Sequence, residues 1–235
     1  QFLLANTDPS GFINVERSSS HGPMYGHGFA TLFLAEVYGM TRQSDLREKL
    51  KLAVNLIVKT QNKEGGWRYQ PVRKEADLSV TVCQIMALRA ARNTGISVPK
   101  STVDLCISYV RKSQNPDGGF KYQLTVGSQS LFPRSAAGLV ALYNAGIYEG
   151  REIERGLSYL EQSLPRGEMF RHEPHYFYGQ YYAVQAMWHA GGERWRSWYP
   201  AIRDELIRRQ QASGQWQDPD RYICTEYNTA MACLI

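Results

Sequence analysis

The fold follows from a sequence that the chain repeats, and its clearest copy is Ile57-Val58-Lys59-Thr60-Gln61-Asn62-Lys63-Glu64-Gly65-Gly66-Trp67. Residues 110–120 read VRKSQNPDGGF and residues 206–216 read LIRRQQASGQW. Each copy has an aliphatic residue four positions before a glutamine and an aromatic residue six positions after it. Two weaker copies occupy residues 2–12, with Asn6 in the glutamine position, and residues 160–170, with Gln162 displaced. The closing aromatic residues, which recur every 46 to 55 residues, are Phe12, Trp67, Phe120, Phe170 and Trp216.

A repeat of this length indicates one supersecondary unit copied in series, in which each copy buries its apolar face against the next. The motif itself predicts the end of a helix, because residues four apart share a helix face and the glycines supply a left-handed backbone. We expect the glutamines to bond backbone groups freed at the helix end, and the aromatic residues to pack back over it. The corner residues of the three strict copies are Gln61, Trp67, Gln114, Phe120, Gln210 and Trp216.

Hydrophobic periodicity predicts two kinds of helix between these corners. Segments that are apolar on nearly all sides are predicted to be buried inner helices, and they are residues 24–40, 77–92, 134–145, 176–190 and those from Thr225 onward. Segments with charges on one face are predicted to be outer helices that face water, and they are residues 46–62, 101–115, 152–164 and 195–211. No stretch alternates in a way that requires a sheet.

The repeat resembles the QW motif of the squalene and oxidosqualene cyclases and, more loosely, the glycine-aromatic repeats of protein prenyltransferase β-subunits. This resemblance spans nearly the whole chain. It implies an all-α fold of the α/α-toroid type, with an inner ring of helices inside an outer ring and a ligand cavity at the mouth of the inner ring. Residues 1–235 are then expected to form a single toroid domain of four full helix pairs and two partial ones. We expect segments to be missing at both ends, because the chain starts in the tail of one helix and stops inside another.

Composition restricts the partners of the chain. The net charge of +5 comes from 27 Lys and Arg against 22 Asp and Glu, and the basic residues of the outer segments are interleaved with acidic ones. This pattern is typical of a solvated helix surface and argues against nucleic-acid binding. No apolar run approaches the roughly 20 residues that span a bilayer, which leaves peripheral membrane contact open. Cys83, Cys106, Cys224 and Cys233 lie in apolar contexts and are predicted to be buried thiols, in preference to disulfides or metal ligands.

The segment Lys74-Glu75-Ala76-Asp77-Leu78-Ser79-Val80-Thr81 follows the clearest corner. It resembles the D-x-D-D-T-A motif of class II terpene cyclases, whose central aspartic acid protonates an alkene or an epoxide. The resemblance places Glu75 at the first acid and Asp77 at the central one, whereas Leu78 replaces the third acid and Ser79 replaces the threonine. Proton donation requires an acid that its surroundings keep protonated. The alternative role of Asp77 is structural, since aspartate at this position caps the helix that follows.

The sequence predicts no metal and no cofactor. Protein prenyltransferases place a zinc-binding D-x-C pair at a similar position, but the pair here is Asp77 and Ser79, and serine does not replace a thiolate ligand. His172 and His175 flank Pro174 in a predicted loop and do not form a metal-ligand pattern. Neither a G-x-S-x-G nucleophile motif nor a phosphate-binding loop occurs.

An aromatic cluster at residues 175–182 predicts part of a ligand-binding wall. On a helix Tyr178, Tyr181, Tyr182 and Gln185 share one face. Aromatic walls stabilise carbocations through cation–π attraction, stack on sugars or pack against apolar chains, and the same residues also suit ordinary helix packing. Further cavity candidates near helix entrances are Tyr25, His27, Ser79, Thr81, Arg134, Tyr222 and Glu226.

Two polar residues fall inside an apolar helical segment. His27 suits either a core histidine whose hydrogen bonds are satisfied or a base that faces the cavity. Glu36 stands within Leu34-Ala35-Glu36-Val37-Tyr38. We expect it to have a buried partner, because an unpaired buried carboxylate is costly.

Three functions fit these features, and the fold alone does not choose among them. In the first, a small apolar ligand of the isoprenoid type binds in a central aromatic cavity and its cyclisation starts with a proton from Asp77, with Glu75 as modulator. The second is a non-catalytic binding or scaffold toroid, which Leu78 in the acid motif favours. The third is carbohydrate processing, which requires two opposed carboxylates across the cavity.

Overall fold

In the computed structural model, the described parts of the chain are residues 1–15, 22–125, 127–164, 175–217 and 224–235. Within these ranges the chain is helical, and its β-structure is limited to isolated bridges. The prediction of an all-α fold is therefore confirmed. The helices are α1 (Phe2–Ala5), α2 (Pro23–Thr41), α3 (Ser44–Thr60), α4 (Leu78–Asn93), α5 (Lys100–Ser113), α6 (Phe132–Ala145), α7 (Arg151–Glu161), α8 (Tyr176–Ala190), α9 (Gly192–Arg209) and α10 (Thr225–Leu234).

Helices of two kinds follow each other in the order that an α/α-toroid requires. Helices α4, α6 and α8 are buried around most of their circumference, as their continuous apolar sequences predict. Helix α3 instead buries a single stripe at helical spacing, and α5, α7 and α9 also bury one side. The buried stripe of α3 consists of Leu46, Leu50, Ala53, Val54, Ile57 and Thr60.

The chain divides into two compact units. The first comprises Gln1–Ser113, Tyr122–Gly127 and Asn144–Gly146, and in it α4 packs against α2, α3 and α5. The second comprises Gln114–Lys121, Ser128–Tyr143 and Ile147–Ile235, and in it α8 packs against α7, α9 and α10. That residues 1–235 form one domain stays a prediction.

The glutamines and the tryptophans of the three strict corners bond to main-chain carbonyls. In the first unit, the Gln61 side-chain amide donates to the Gly65 carbonyl and to the Thr102 carbonyl of α5, both at 2.9 Å. The indole N–H of Trp67 donates to the Ile57 carbonyl at 2.7 Å, in the last turn of α3. The side chains therefore satisfy carbonyls that the helix end would leave unpaired.

The same contacts recur in the second unit. Gln114 donates to the Gly118 carbonyl at 3.0 Å and to the Glu152 carbonyl of α7 at 2.8 Å. Gln210 donates to the Gly214 carbonyl at 2.9 Å, and Trp216 donates through its indole to the Leu206 carbonyl at 2.9 Å. The ring of Phe120 has no hydrogen-bond donor, and it is buried by packing alone. Phe170, the aromatic residue of the fourth copy, lies outside the described residues.

At three corners a glycine lies directly against the backbone of the outer helix that follows, and these glycines are Gly11, Gly65 and Gly118. Gly65 has a φ of +104°, and a methyl group added there would lie 2.1 Å from the carbonyl oxygen of Leu105 in α5. At Gly118, with a φ of +92°, it would lie 2.3 Å from the Arg155 carbonyl oxygen in α7. Glycine is required at these corners for its backbone conformation and for the close approach.

The first corner differs from its prediction by one residue. Thr7 and Ile13 form the antiparallel bridge that Gln114 and Phe120 form in a later copy. Gly11, with a φ of +91°, occupies the place of Gly118. Thr7 therefore takes the glutamine position, which the sequence had assigned to Asn6, and Ile13 takes the aromatic position, which it had assigned to Phe12. An aliphatic side chain can thus close a corner in place of an aromatic one.

Three predicted environments need correction. Glu36 is exposed on α2, so it needs no buried partner. Cys83 and Cys106 are buried free thiols as predicted, but Cys224 and Cys233 at the two ends of α10 are exposed.

Charged side chains of the outer helices form local ion pairs, exposed on α3 and mostly buried at Glu205 on α9. Glu48 on α3 pairs with Arg47 at 3.6 Å and with Lys51 at 2.8 Å. On α9 Glu205 pairs with Arg209 at 2.6 Å and also with Arg208. None of the helices in the described ranges combines the length and the hydropathy of a membrane-spanning segment.

We predict that Gly65→Ala destabilises the protein far more than Gly95→Ala. Gly95 has a similar φ of +89°, but a methyl group there would meet nothing within 4 Å. Gly95→Ala should therefore cost about 1 kcal/mol for the left-handed backbone alone. Gly65→Ala should cost at least about 2 kcal/mol more, because a backbone carbonyl cannot move aside as a side chain can. Urea unfolding followed by circular dichroism measures both, and equal losses would contradict the close approach.

Candidate functional site

Asp77 occupies the N-cap of α4 and is held there by the preceding corner. Its backbone N–H donates to the Trp67 carbonyl at 2.9 Å, and its carbonyl accepts the Thr81 hydroxyl at 2.7 Å. Its side-chain Oδ1 accepts the Val80 N–H at 2.9 Å, which is a helix cap. The capping role predicted as the alternative for Asp77 is thus present in the structure.

The two oxygens of the Asp77 carboxyl have different surroundings. Oδ1 accepts the Ser79 hydroxyl at 2.7 Å in addition to the Val80 N–H. Oδ2 is buried, and the Tyr122 hydroxyl is a further hydrogen-bond partner of this carboxyl. The nearest cationic atom is the Nε of Arg68, which lies 3.8 Å from Oδ2 and is itself buried without a partner. One oxygen of the carboxyl therefore holds the cap, and the other faces the Arg68 guanidinium.

Burial is the largest influence on the pKa of Asp77, whose side chain is 0% exposed. It raises the pKa of the carboxyl above its usual value, although the Val80 N–H, the Ser79 hydroxyl, the Arg68 guanidinium and the Tyr122 hydroxyl favour the carboxylate. The net effect keeps the proton on Asp77 to a higher pH than on an exposed aspartate. An acid with this property suits proton donation.

Tyrosine hydroxyls surround the carboxyl. The Tyr25 hydroxyl lies 2.6 Å from the Ser79 hydroxyl, which in turn donates to Asp77. The hydroxyls of Tyr69 and Tyr122 bond to each other. Burial and the nearby Asp77 charge raise the pKa of Tyr25 and of Tyr122, so both stay neutral. The cluster is thus polar at the carboxyl and otherwise lined by aromatic rings.

Glu75 does not stand beside Asp77 as a second carboxyl of an acid pair. Its side chain is 65% exposed and forms an ion pair with Arg68. The role of modulator stays a prediction.

Sequence reasoning missed Arg68, Tyr69 and Tyr122, although the sequence contains a signal for them. The residues after the corner aromatic read WRYQ at 67–70 and FKYQ at 120–123, so the repeat continues for three positions beyond Trp67 and Phe120. The two tyrosines of this extension are the pair whose hydroxyls bond to each other beside Asp77. The extended repeat therefore brings residues 53 positions apart into one site.

His27 and Thr81 form part of the corners. The Thr81 hydroxyl accepts the Trp67 backbone N–H at 3.1 Å, and His27 Nδ1 accepts that of Ile13 at 3.2 Å. The other ring nitrogen of His27 lies 3.3 Å from the Ala53 carbonyl, and burial lowers its pKa to about 4. His27 is thus a neutral, fully buried histidine with both nitrogens bonded to the backbone.

The remaining candidates lie in the second unit. Tyr182 contacts Tyr178 at a ring distance of 4.8 Å and Tyr181 at 4.9 Å, both edge to face. Gln185 donates back to the Tyr181 carbonyl at 2.8 Å on its own helix. Arg134 is half-buried near the start of α6 and Glu226 is exposed in the first turn of α10. Tyr222 and His172 lie outside the described residues, and the ligand-binding role of this group stays a prediction.

The chain matches solved structures of type II terpene cyclases in fold. Solved structures of this class include the cyclase MstE from Scytonema. Its apo structure has a TM-score of 0.45 and 15% sequence identity, covering 92% of this chain and 78% of that one. A variant of MstE with its product, merosterolic acid A, has a TM-score of 0.49 and 14% identity, covering 99% of this chain and 91% of that one. A further variant, with its substrate geranylgeranyl dihydroxybenzoate, has a TM-score of 0.47 and 14% identity, covering 92% and 78%.

No family model matches the chain, and no curated protein matches its sequence. At the identities and TM-scores given above, the likeness concerns the arrangement of helices. It does not transfer a ligand or a reaction to this chain.

We predict that Asp77→Asn leaves the cap of α4 intact and that Asp77→Ala removes it. The asparagine carbonyl can accept the Val80 N–H and the Ser79 hydroxyl as Oδ1 does, whereas alanine leaves both donors unpaired. Asp77→Ala should therefore be less stable than Asp77→Asn by about 1–2 kcal/mol in urea unfolding. Equal stability of the two variants would show that the cap contributes nothing.

We also predict how the stability of the wild type depends on pH at this position. Because the folded pKa of Asp77 is raised, the folded state holds this proton more tightly than the unfolded chain. The resulting stabilisation is fully present below the unfolded pKa of about 3.9 and is lost as the pH rises through the folded value. The wild type should therefore lose stability relative to Asp77→Asn between pH 4 and neutral pH. Urea midpoints of both proteins across this range measure the difference, and a relative gain with rising pH would contradict a raised pKa.

Proposed function

We propose that this chain binds an apolar ligand of the isoprenoid type and that Asp77 starts its cyclisation by donating a proton. The observation that carries the proposal is the asymmetry of the buried carboxyl. Oδ1 is fixed by two donors, at 2.7 and 2.9 Å, whereas Oδ2 is buried and lies 3.8 Å from the Nε of Arg68. A protonated carboxyl in this setting carries its proton on Oδ2, because Oδ1 already accepts two hydrogen bonds.

The surroundings of Asp77 suit both of its protonation states. Burial raises the pKa, which keeps the acid loaded before the reaction. After the proton leaves, the carboxylate retains the Val80 N–H, the Ser79 hydroxyl and the Arg68 charge, and it lies at the positive end of α4. These groups stabilise the negative charge that develops on Asp77 during proton transfer, and this lowers the barrier to the transfer. Before the reaction, burial keeps the carboxyl protonated.

The reaction needs no cofactor to balance. The proton from Asp77 adds to one end of the reacting group of the ligand and leaves a carbocation at the other end. The nearest double bond attacks this cation to close a ring, and the last cation loses a proton to water. Asp77 then takes up a proton again, so the net change is an isomerisation.

Aromatic rings near the acid support an apolar, cationic reaction path. The rings of Tyr25 and Tyr69 lie 6.1 Å apart, and the Arg68 guanidinium lies 5.1 Å from the Tyr69 ring. Such rings attract positive charge through their faces and do not react with carbocations as a carboxylate would. They also offer an apolar surface to an isoprenoid chain.

A non-catalytic binding or scaffold protein is the second candidate. It is favoured by the complete burial of Asp77, whose cap explains the residue without any reaction. Both candidates keep the corners and the cap, and they differ only in the use of Oδ2. An assay of product formation separates them.

We predict that the protein converts linear polyprenes or their terminal epoxides of 15 to 30 carbons (about three to six isoprene units) to cyclic products, detected by gas chromatography with mass spectrometry. Asp77→Asn should lower product formation by at least about 100-fold, because it removes the acid and keeps the cap. Asp45→Asn, at an exposed carboxylate in the first turn of α3, is the matched control and should retain the activity. If Asp77→Asn forms product at the wild-type rate, Asp77 is not the acid.

A further inference from the structure

Aromatic side chains lie exposed together where α8 turns into α9, in the second compact unit. Trp188 is 63% exposed in the last turn of α8. Trp195 is half-buried in the first turn of α9, and Tyr199 is 40% exposed one turn later. A methyl group added at Gly191 or Gly192, which form the turn, would meet nothing within 4 Å, so the space around the turn is open. Large exposed aromatic groups that lie together typically mark a binding surface.

The three rings hold one another in place. The rings of Trp188 and Trp195 lie 5.1 Å apart and meet edge to face, and those of Trp195 and Tyr199 are stacked at 4.9 Å. A ring that its neighbours already fix loses little conformational freedom when it binds a ligand. Trp188, Trp195 and Tyr199, which we call the aromatic surface, are therefore organised before any ligand arrives.

Further rings continue the aromatic surface on its other side. His189 follows Trp188 directly in the chain, and its ring lies 4.8 Å from that of Tyr143 and 5.8 Å from that of Tyr148. Tyr148 is exposed, whereas Tyr143 is buried beneath it. A succession of rings suits an extended ligand made of repeated units better than a single small molecule.

Charged side chains of both signs border the aromatic surface. Glu193 and Arg196 form an exposed ion pair at the start of α9. Arg194, between them in the chain, pairs with Glu154 and with Glu161 of α7, at 3.0 Å each. These two arginines and three glutamates carry no excess of positive charge. An anionic membrane or a nucleic acid, both of which require positive charge, does not match this border.

The exposed ion pair also disfavours a purely apolar partner. A lipid chain or an apolar protein face that covered the rings would remove water from Glu193 and Arg196 without offering them hydrogen bonds, which is costly. Hydroxyl groups both donate and accept, so they can pair with a carboxylate and with a guanidinium. The C–H groups on the face of a sugar ring carry a small positive charge and pack against the negative face of an aromatic ring.

From this combination we infer that the aromatic surface binds a neutral carbohydrate chain. The sugar rings pack on Trp188 and Tyr199, and Glu193 and Arg196 hydrogen-bond the sugar hydroxyls. Trp195 contacts both outer rings and is a positioning residue that supports them. The site binds without chemical change and does not involve the acid at the start of α4, so it is independent of the proposed function.

Affinity electrophoresis tests this site, in native gels run towards the cathode because the chain has a net charge of +5. The probes dissolved in the gels are hydroxyethyl cellulose, laminarin, soluble starch, xylan and galactomannan. We expect at least one of them to retard the wild type. Trp188→Ala and Tyr199→Ala should each weaken that binding at least about 10-fold, because each removes a ring on which a sugar packs.

Two further variants separate the ring from a general effect on the fold. Trp188→Phe keeps a ring and should retain most of the binding that Trp188→Ala loses. Phe33→Ala removes an exposed ring from α2, outside the aromatic surface, and should bind as the wild type does. Circular dichroism and urea midpoints check that each variant is folded, as expected for changes at exposed side chains.

Failure of every polysaccharide to retard the wild type would overturn the carbohydrate site. Retardation that Trp188→Ala and Tyr199→Ala leave unchanged would also overturn it, because the carbohydrate would then bind elsewhere. Flotation with vesicles of phosphatidylcholine, with and without phosphatidylglycerol, and sedimentation equilibrium examine the other partners of an exposed aromatic surface. Vesicle binding or self-association that Trp188→Ala abolishes would assign the surface to a lipid or to a second copy of the chain instead.

Discussion

The corner in which a glycine lies against the carbonyl of the next outer helix is the constraint on which the described architecture depends. At Gly65 the backbones of two consecutive repeats approach so closely that no side chain fits between them. The Gln61 amide then joins the two repeats by bonding the carbonyls of Gly65 and Thr102. Because the joint consists of main-chain groups, the side chains of the outer helices can vary while the stacking of repeats is kept.

The corner also fixes the candidate acid. Trp67 closes the corner over α3, and its main chain bonds to the first turn of α4 through the Asp77 N–H and the Thr81 hydroxyl. The end of one helix therefore determines where the next helix begins. Asp77 is the N-cap of α4, so a change at Gly65 or Gln61 is expected to disturb the position of the Asp77 carboxyl as well as the fold.

Sequence patterns predicted the repeat, the helices and the cap at Asp77, because each follows from residues that are close in the chain. Gln61 and Trp67 hydrogen-bond backbone carbonyls within ten residues of themselves in the chain. The exception is the bond from Gln61 to the Thr102 carbonyl. The environment of the acid was not predicted, because Tyr122 comes from the next repeat and Arg68 was not part of the recognised motif. Glu36 shows the opposite error, since an apolar sequence context does not determine which side of a helix is covered.

The structural and catalytic interpretations of Asp77 do not exclude each other. A helix cap requires only one acceptor, and Oδ1 provides it. A cap alone would be served equally well by asparagine or serine, which do not involve the burial of an ionisable group. The combination of full burial and a raised pKa is costly for a purely structural carboxylate. Such a cost is typical of functional sites, and it is the argument for the proposed acid over a scaffold that only retains the fold.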